Sequence, residues 1–542
     1  VNLPEAFELA IQLHRAARLA EAESLYRQIL SQAPRHAEVL SLLAGILDDT
    51  DRPAEAATLY HRITTLLPDD ADAYVGLGNA LRQLGNLDAA IFAYSSAIAI
   101  RPDFAGAMNN LANALWDSGN LEEAIPLLRR AASTSNDPAT ASNLLFALHF
   151  DPTTTPLQLR AEHDLWNERY GRPLFTPTTF ADPPDPVRRL RIGYVSPDLH
   201  NHPVGLFMLP LLAHHDRTHF EIACYSDAFP DALSRQLSSL THLWRDTRPL
   251  SDTQLVQLIR DDRIDILVDL TLHSRGSRLL AFARKPAPVQ VTYLGYPSTT
   301  GLDVMDYRLS DPYLDPPGCD TGIYSETTCR LPATYWCYKP LFDVPPPGPP
   351  PAISNGFVTF GCLNNFYKLR PPVIDAWTKL LFNFPTSRLI VHARPGTHCR
   401  RMLDRFKDGG VDPQRIEFVD AQPLAAYFNT YRRIDIALDS FPFPGATTTL
   451  DALWSGVPVV TLAGSSAVSR AGASILSNIA LTDLIAHDTD HYTDIARSLA
   501  ADLPRLSDLR ATLRQKMRSS PLTDVPRFAR DIEHAFRDMW QR

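Results

Sequence analysis

The strongest constraint on this chain is a period of 34 residues in its first quarter. Residues 3–138 divide without gaps into four units, 3–36, 37–70, 71–104 and 105–138. Position 20 of the unit is Ala22, Ala56, Ala90 and Ala124, and position 24 is Tyr26, Tyr60, Tyr94 and Leu128. Position 8 is always small (Ala10, Ala44, Gly78, Ala112), and position 32 is Pro34, Pro68, Pro102 and then Asn136. Two short helices approach closely only where side chains are small. An aromatic ring fills the next gap, and proline stops the second helix before the next unit begins. Such units cannot bury an apolar face alone, so they stack into a superhelix with a concave groove suited to protein partners. Asn109, Asn110 and Asn113 put amides on one helix face, but Glu8, Leu42 and Gly76 hold the place of Asn110 elsewhere. No continuous asparagine ladder is therefore expected.

The period and residue types resemble the tetratricopeptide repeat, giving an α-solenoid over 1–138. A helical and proline-rich connector follows over 139–187, with helices at Asn143–His149 and Leu157–Tyr170 and prolines clustered between Pro173 and Pro186. Then the rhythm changes. Arg191–Ser196, Phe220–Ser226, Ile264–Leu270 and Val289–Leu294 are short β-rich runs, separated by helical stretches such as Asp252–Arg260 and Arg275–Ala283. That alternation predicts parallel βαβ units over 188–344. Six prolines in seven residues at 345–351 form a stiff, extended hinge with little hydrogen bonding. A second series over 352–520 has strands at Val358–Cys362, Arg388–His392, Arg415–Val419, Ile434–Leu438 and Val457–Leu462. A final helix within 521–542 carries Phe528, Ile532, Phe536 and Trp540 at i, i+4 spacing, so it should dock. Two Rossmann-like halves bind ligands at their C-terminal strand ends.

Exclusions narrow the ligand. The net charge of −9 gives no general attraction to nucleic acid or anionic membrane. The six cysteines form no C-x-x-C pair, which argues against a disulfide framework or zinc knuckle. No basic-then-apolar leader and no apolar run of 18 residues occurs, so a cytoplasmic chain is expected, and the initial Val suggests a trimmed N-terminus. The sequence lacks G-x-G-x-x-G, the P-loop pattern and a G-x-S-x-G elbow after a strand. The Asp-x-Asp pairs lie in repeat turns or, at Asp488/Asp490, just before a helix where Asp is an ordinary cap, so no metal is expected.

Three segments at strand ends carry candidate chemistry. In Leu438–Asp451, Gly445 allows a sharp turn, and Thr447 and Thr448 offer hydroxyls and N–H groups at a helix start, favourable for phosphate. Asp451, one turn later, can accept from a ribose hydroxyl; a plain helix-capping role fits these residues equally well. In Phe360–Lys368, amides including Asn365 precede Lys368, one of only six lysines, where a point charge can stabilise a diphosphate leaving group. In Tyr194–Pro203, which holds His200 and His202, an imidazole suits proton removal from an alcohol, or simply a fixed place in a hydrogen-bonded loop.

The repeat array followed by IGYVSPDLHNHP, KPAPVQVTYLGYPSTTGLDVMDY (285–307), FGCLNNFYK and PGATTTLDALWSGVPVVT (444–461) resembles the nucleocytoplasmic O-linked N-acetylglucosamine transferases, as a bacterial member. The resemblance implies a GT-B glycosyltransferase that works without metal or other cofactor. It implies inverting transfer of N-acetylglucosamine from UDP-GlcNAc to Ser/Thr hydroxyls of proteins guided by the repeat groove. It makes His202 the base, Lys368 the diphosphate contact, Thr447 and Thr448 the phosphate-binding threonines and Asp451 the ribose ligand. Departures from the animal pattern are Asn365 for a glutamine, Gly445-Ala446 for Gly-His, and Tyr427 where a histidine stacks on uracil. Two other readings stay open: a transferase using another UDP-sugar or acceptor, and a repeat scaffold whose catalytic domain only senses UDP-sugar.

Overall fold

A computed structural model describes residues 2–177, 180, 185, 187–340 and 344–542; the connector's remaining prolines lie outside the described residues. The chain forms two compact units, Val1–Leu144 with Arg394–Arg400, and Leu145–Ala393 with Arg401–Arg542.

The 34-residue period becomes helix pairs of constant length. They are α1 Leu3–Arg15 and α2 Leu19–Gln32, α3 Ala37–Asp49 and α4 Pro53–Leu66, α5 Ala71–Gln83 and α6 Leu87–Ile100, and α7 Ala105–Asp117 and α8 Leu121–Thr134. Ala22, Ala56, Ala90 and Ala124 are fully buried. Close approach demands the small residue at position 8. A Cβ on Gly78 would lie 2.5 Å from the Tyr94 ring. No asparagine ladder runs the length of the array, but the later units carry a short chain of bonded amides. Asn143 donates to Asn109 (2.9 Å), Asn109 lies 3.4 Å from Asn110, and Asn110 donates to Asn79 (3.0 Å), which also accepts from the Tyr94 hydroxyl. Asn109 and Asn143 stand one 34-residue period apart, whereas Asn110 and Asn79 come from unlike repeat positions.

The second unit begins within α9 (Pro138–Leu148) and continues through α10 (Pro156–Trp166), which Thr155 and Gln158 start with a capping box. Its first sheet holds seven parallel strands in the order β3-β2-β1-β4-β5-β6-β7: β1 Leu190–Ser196, β2 Phe220–Ser226, β3 Leu243–Asp246, β4 Ile266–Asp269, β5 Val289–Thr292, β6 Tyr307–Ser310 and β7 Thr327–Arg330. The second has six, in the order β10-β9-β8-β11-β12-β13: β8 Thr359–Cys362, β9 Arg388–His392, β10 Ile416–Val419, β11 Ile436–Leu438, β12 Val459–Leu462 and β13 Ile485–Ala486. In both, the order reverses beside the first strand, the switch point where such sheets bind ligands. Strands β3, β6, β7 and β13 were not expected. Their sequences, LWRD, YRLS, TTCR and IA, contain no run of three apolar residues. The helix expected at Arg275–Ala283 shrinks to one turn, Leu279–Phe282, because Gly276 takes φ +80°.

The proline hinge is also corrected. Its backbone carbonyls are held: Arg514 donates to Val344 and Pro345, and Arg510 to Gly348, each at 2.8–2.9 Å. Pro351 then opens a short helix, Pro351–Asn355. The segment is therefore clamped onto the helix Leu503–Arg518 rather than free. The final helix, Val525–Gln541, buries Phe528, Ile532, Phe536 and Trp540 as its spacing predicts. Its Glu533 accepts from His215 at 2.8 Å, tying it to the first α/β half.

Candidate active site

Strand β11 ends at Leu438, and the chain folds back before the helix Thr447–Trp454 begins. That loop is organised by Asp439. The buried carboxylate accepts from the backbone N–H of Gly445 (2.7 Å), from Asn364 (3.0 Å) and from Thr461 (3.0 Å). Burial raises its pKa, while these donors and the Lys368 charge oppose the shift. Asn364 uses its amide oxygen to accept from the Thr448 hydroxyl. One acid thus shapes both the loop and the helix start.

The need for glycine at 445 is space rather than a left-handed turn. Gly445 is absent from the residues with positive φ. A Cβ there would overlap the Thr448 hydroxyl and lie 2.6 Å from Thr449 Oγ1 and 2.8 Å from Asn364 Oδ1. Ala446, at the N-cap, offers no side-chain cap. Thr447 and Thr448 are half-buried in the helix's first turn, where backbone N–H groups and the helix dipole favour an anion.

Lys368 ends a short 3-10 turn after β8 and reaches the same loop. Its Nζ donates to the Pro444 carbonyl (2.8 Å) and lies 4.5 Å from the centre of the Phe443 ring. Desolvation pushes its pKa down to about 8, with Asp439 and Cys362 pulling it back up. The preceding amide is less involved. Asn365 is exposed and donates to Tyr367 (3.2 Å), so Asn364 is the residue turned into the network.

Asp451, one turn along the helix, is buried at 4% exposure. Tyr338 donates to one of its oxygens (2.7 Å) and Tyr427 to the other (3.1 Å). The Tyr427 and Tyr431 hydroxyls lie 2.9 Å apart, and the Tyr431 hydroxyl lies 3.0 Å from the Thr448 carbonyl, so two phenol protons serve three contacts. Desolvation pushes the Asp451 pKa up to about 6, against those two tyrosine donors. A carboxylate with two hydrogen bonds retains lone pairs for a further donor.

His202 occupies the N-cap of Pro203–His214 in the first half. Its Nδ1 accepts from the Val204 N–H (3.3 Å) and lies 3.8 Å from an Asp198 oxygen. Burial lowers its pKa, with Asp198 opposing and His200 reinforcing the shift. Burial thus favours the neutral ring, the form a base requires. While Nδ1 accepts from Val204, the ring proton belongs on Nε2. Accepting a proton from a hydroxyl thus requires the ring to release that cap.

Asp439, Asn364, Tyr338 and Tyr431 were not singled out from sequence. Asp439 left one signal, an acid immediately after a strand at its C-terminal end. Tyr338 left none, because its partner is 113 residues away. On the flank toward β12, Phe441 and Pro442 border a cavity of about 450 Å³, lined also by His149, Asp151, Ser466 and Asp488. Asp488 is the N-cap of the helix Thr489–Ala501, accepting from the His491 N–H (2.7 Å). Among the described residues no group of three or more His, Cys, Asp or Glu is placed to hold a metal ion. No helix among them is long and apolar enough to cross a membrane.

Comparison with known proteins places the chain in a family. Tetratricopeptide-repeat models match residues 13–77, 78–119 and 104–136. A tomato (Solanum lycopersicum) protein described as probable UDP-N-acetylglucosamine–peptide N-acetylglucosaminyltransferase SPINDLY is 39% identical over 412 residues, covering 74% of this chain and 44% of its own. The Arabidopsis thaliana protein SEC, described with the same probable activity, is 32% identical over 365 residues, covering 65% and 37%. The chain thus spans less than half the length of the curated relatives it matches. A solved structure of a mutant O-GlcNAc transferase from Thermobaculum terrenum superposes with TM-score 0.87 at 38% identity, covering 93% of this chain and 97% of that one. The model of glycosyl transferase family 41 matches 176–339 and 352–532, both α/β halves and the loops just described; the chain belongs to that family.

Proposed function

We propose that the protein transfers N-acetylglucosamine from UDP-GlcNAc to Ser or Thr hydroxyls of polypeptides, in the cytoplasm and without a metal. The observation that carries this reading is the convergence of Lys368, the Thr447–Thr448 helix start and Asp451 on one loop after β8 and β11. In it the helix start and Lys368 bind the diphosphate, and Asp451 accepts from ribose. The Tyr427 ring, anchored through its hydroxyl, flanks the base, and Asn365 lies exposed at the edge of the site. Gly445 lets the backbone approach. The acceptor oxygen attacks the anomeric carbon as its bond to the β-phosphate oxygen breaks. UDP departs with the electron pair, neutralised by Lys368, and the hydroxyl proton passes to His202 once its ring has left Val204. The repeat groove presents the polypeptide.

The test is incubation with radiolabelled UDP-GlcNAc and a host lysate, then mass measurement of products made with competing sugar nucleotides. An N-acetylhexosamine mass increment on Ser/Thr, lost in Lys368→Ala, supports the reading. A different increment would replace the donor. UDP binding without transfer or donor hydrolysis would point instead to a sensing scaffold.

A further inference from the structure

Lys368 does not rest on its own domain's loop alone. The Phe443 ring beneath its ammonium is stacked against Phe150, centroids 4.3 Å apart and planes 3° apart. Phe150 lies two residues beyond α9 and is 1% exposed. Phe146 meets Phe443 edge-on at 6.2 Å and Phe150 at 5.3 Å, and Tyr296 of the first half meets Phe146 at 5.0 Å. Tyr367, the residue before Lys368, turns an edge to Phe150 at 5.5 Å. The lysine is therefore held by a three-deep column of ammonium, Phe443 and Phe150, whose base comes from the connector rather than the nucleotide-binding half.

We infer that Phe150 is a positioning residue for the leaving-group step, holding Phe443 flat so that Lys368 is fixed over it and screened from water. The physical argument is directional. A ring braced on its far face cannot tip, and an untipped ring both attracts the cation and excludes solvent from its side. Without the brace, Phe443 gains rotamer freedom, and water reaches the ammonium. Charged or titratable groups acting on Lys368 are Asp439 and Cys362, both beside it in the C-terminal half. Phe150 is uncharged, so any effect on the lysine's titration acts through packing. The inference rests on the reading of Lys368 as the diphosphate contact only for its catalytic meaning, not for its geometry.

The scarcity of lysine makes a direct test feasible. Reductive ¹³C-methylation of the full chain labels six lysines, and Lys368→Arg identifies the signal of interest. The expected result is a Lys368 midpoint near 8 in the parent, rising by about one unit in Phe150→Ala as water returns. Phe150→Leu, which keeps apolar volume and loses the flat stack, should rise by a smaller amount and covers the case in which the alanine variant does not fold. UDP affinity, measured by calorimetry, should fall as pH rises through the Lys368 midpoint, and this fall should move to higher pH in the variants. A Lys368 midpoint unchanged in folded Phe150→Leu and Phe150→Ala overturns the inference. If instead the midpoint moves while Lys368→Ala binds UDP and transfers sugar like the parent, the packing inference stands and the diphosphate reading fails.

Discussion

Replacing Asp451 with Asn should make the protein more stable and less able to bind UDP. Asp451 is 4% exposed, and burial raises its pKa to about 6 from an ordinary carboxylate value of 3.8. Two units correspond to about 3 kcal/mol at 1.36 kcal/mol per unit. The sign follows from linkage. A carboxyl whose folded pKa is raised destabilises the fold when ionised, and the cost is complete above pH 6. It shrinks as pH falls between 6 and 3.8, where the folded form binds its proton first. Asn removes the charge and keeps an oxygen for the Tyr338 hydroxyl, while its NH₂ can donate to Tyr427. Some of the gain is lost in rearranging these donors, leaving a net stabilisation of about 1–3 kcal/mol at pH 7.5. Urea denaturation midpoints at pH 7.5 and 5 measure it, with the advantage of Asn largest at the higher pH. Calorimetry with UDP should show weaker binding in the same variant, since a ribose hydroxyl loses an ionised acceptor. Equal stability at both pH values together with parent-like UDP affinity would refute the argument, because neither buried charge nor ribose contact would then be present.

The remaining predictions concern the other shifted or crowded positions. His202→Asn keeps an N-cap residue of preferred type, so the melting temperature should hold while sugar transfer falls by about 10²–10⁴-fold if the ring is the base; unchanged turnover assigns the proton elsewhere. His149, His163 and His273 are buried at ring separations of 5–6 Å, and burial lowers all three pKa values, that of His163 to about 4. Because the unfolded chain binds these protons first, stability present above pH 6.5 should be lost as pH falls, by about 1.5 kcal/mol at pH 5.5 for His163 alone, and His163→Gln should flatten that slope in thermal melts. Gly445→Ala places a methyl against Thr448, Thr449 and Asn364 and should cost about 1–3 kcal/mol of stability and weaken UDP binding; a variant with parent-like melting and calorimetry would show that the loop gives way freely.

What could be read from the chain divides along a physical line. The repeat helices were legible because every constraint on them is local: a small residue meets an aromatic sixteen positions later, as Gly78 meets Tyr94. Lys368, Thr447, Thr448 and Asp451 could be grouped from sequence because each follows a strand; the roles given to them belong to the proposed function. Asp439, Asn364, Tyr338 and Phe150 act through partners brought close only by folding, such as Asn364 with Thr448. The same limit explains one misread feature. The proline segment looks like a free spacer until Arg510 and Arg514 arrive from 160 or more residues away. In the repeats, the Asn109–Asn143 bond follows the 34-residue period, but the Asn110–Asn79 bond joins unlike positions that the period does not show.

The electrostatics of the site describe its ligand as well as its motifs do. Lys368, Asp439, Asp451 and His202 are all shifted toward their neutral forms, and burial is the first cause for each. A fold tolerates such costs where binding relieves them. On the proposed reading, Lys368 and the uncapped Thr447–Trp454 helix start share one ligand requirement, a multiply charged anion. Asp451 has the opposite need, a hydroxyl donor, and stands one turn farther along the same helix. A plain phosphate satisfies only the first, and a nucleoside only the second. A molecule carrying a diphosphate joined to a ribose meets both at the spacing of one helical turn. The carboxylate held at about 6 thus gives a criterion separating a nucleotide-sugar site from a simple anion site: UDP binding should raise the ionisation of Asp451, and inorganic pyrophosphate should not.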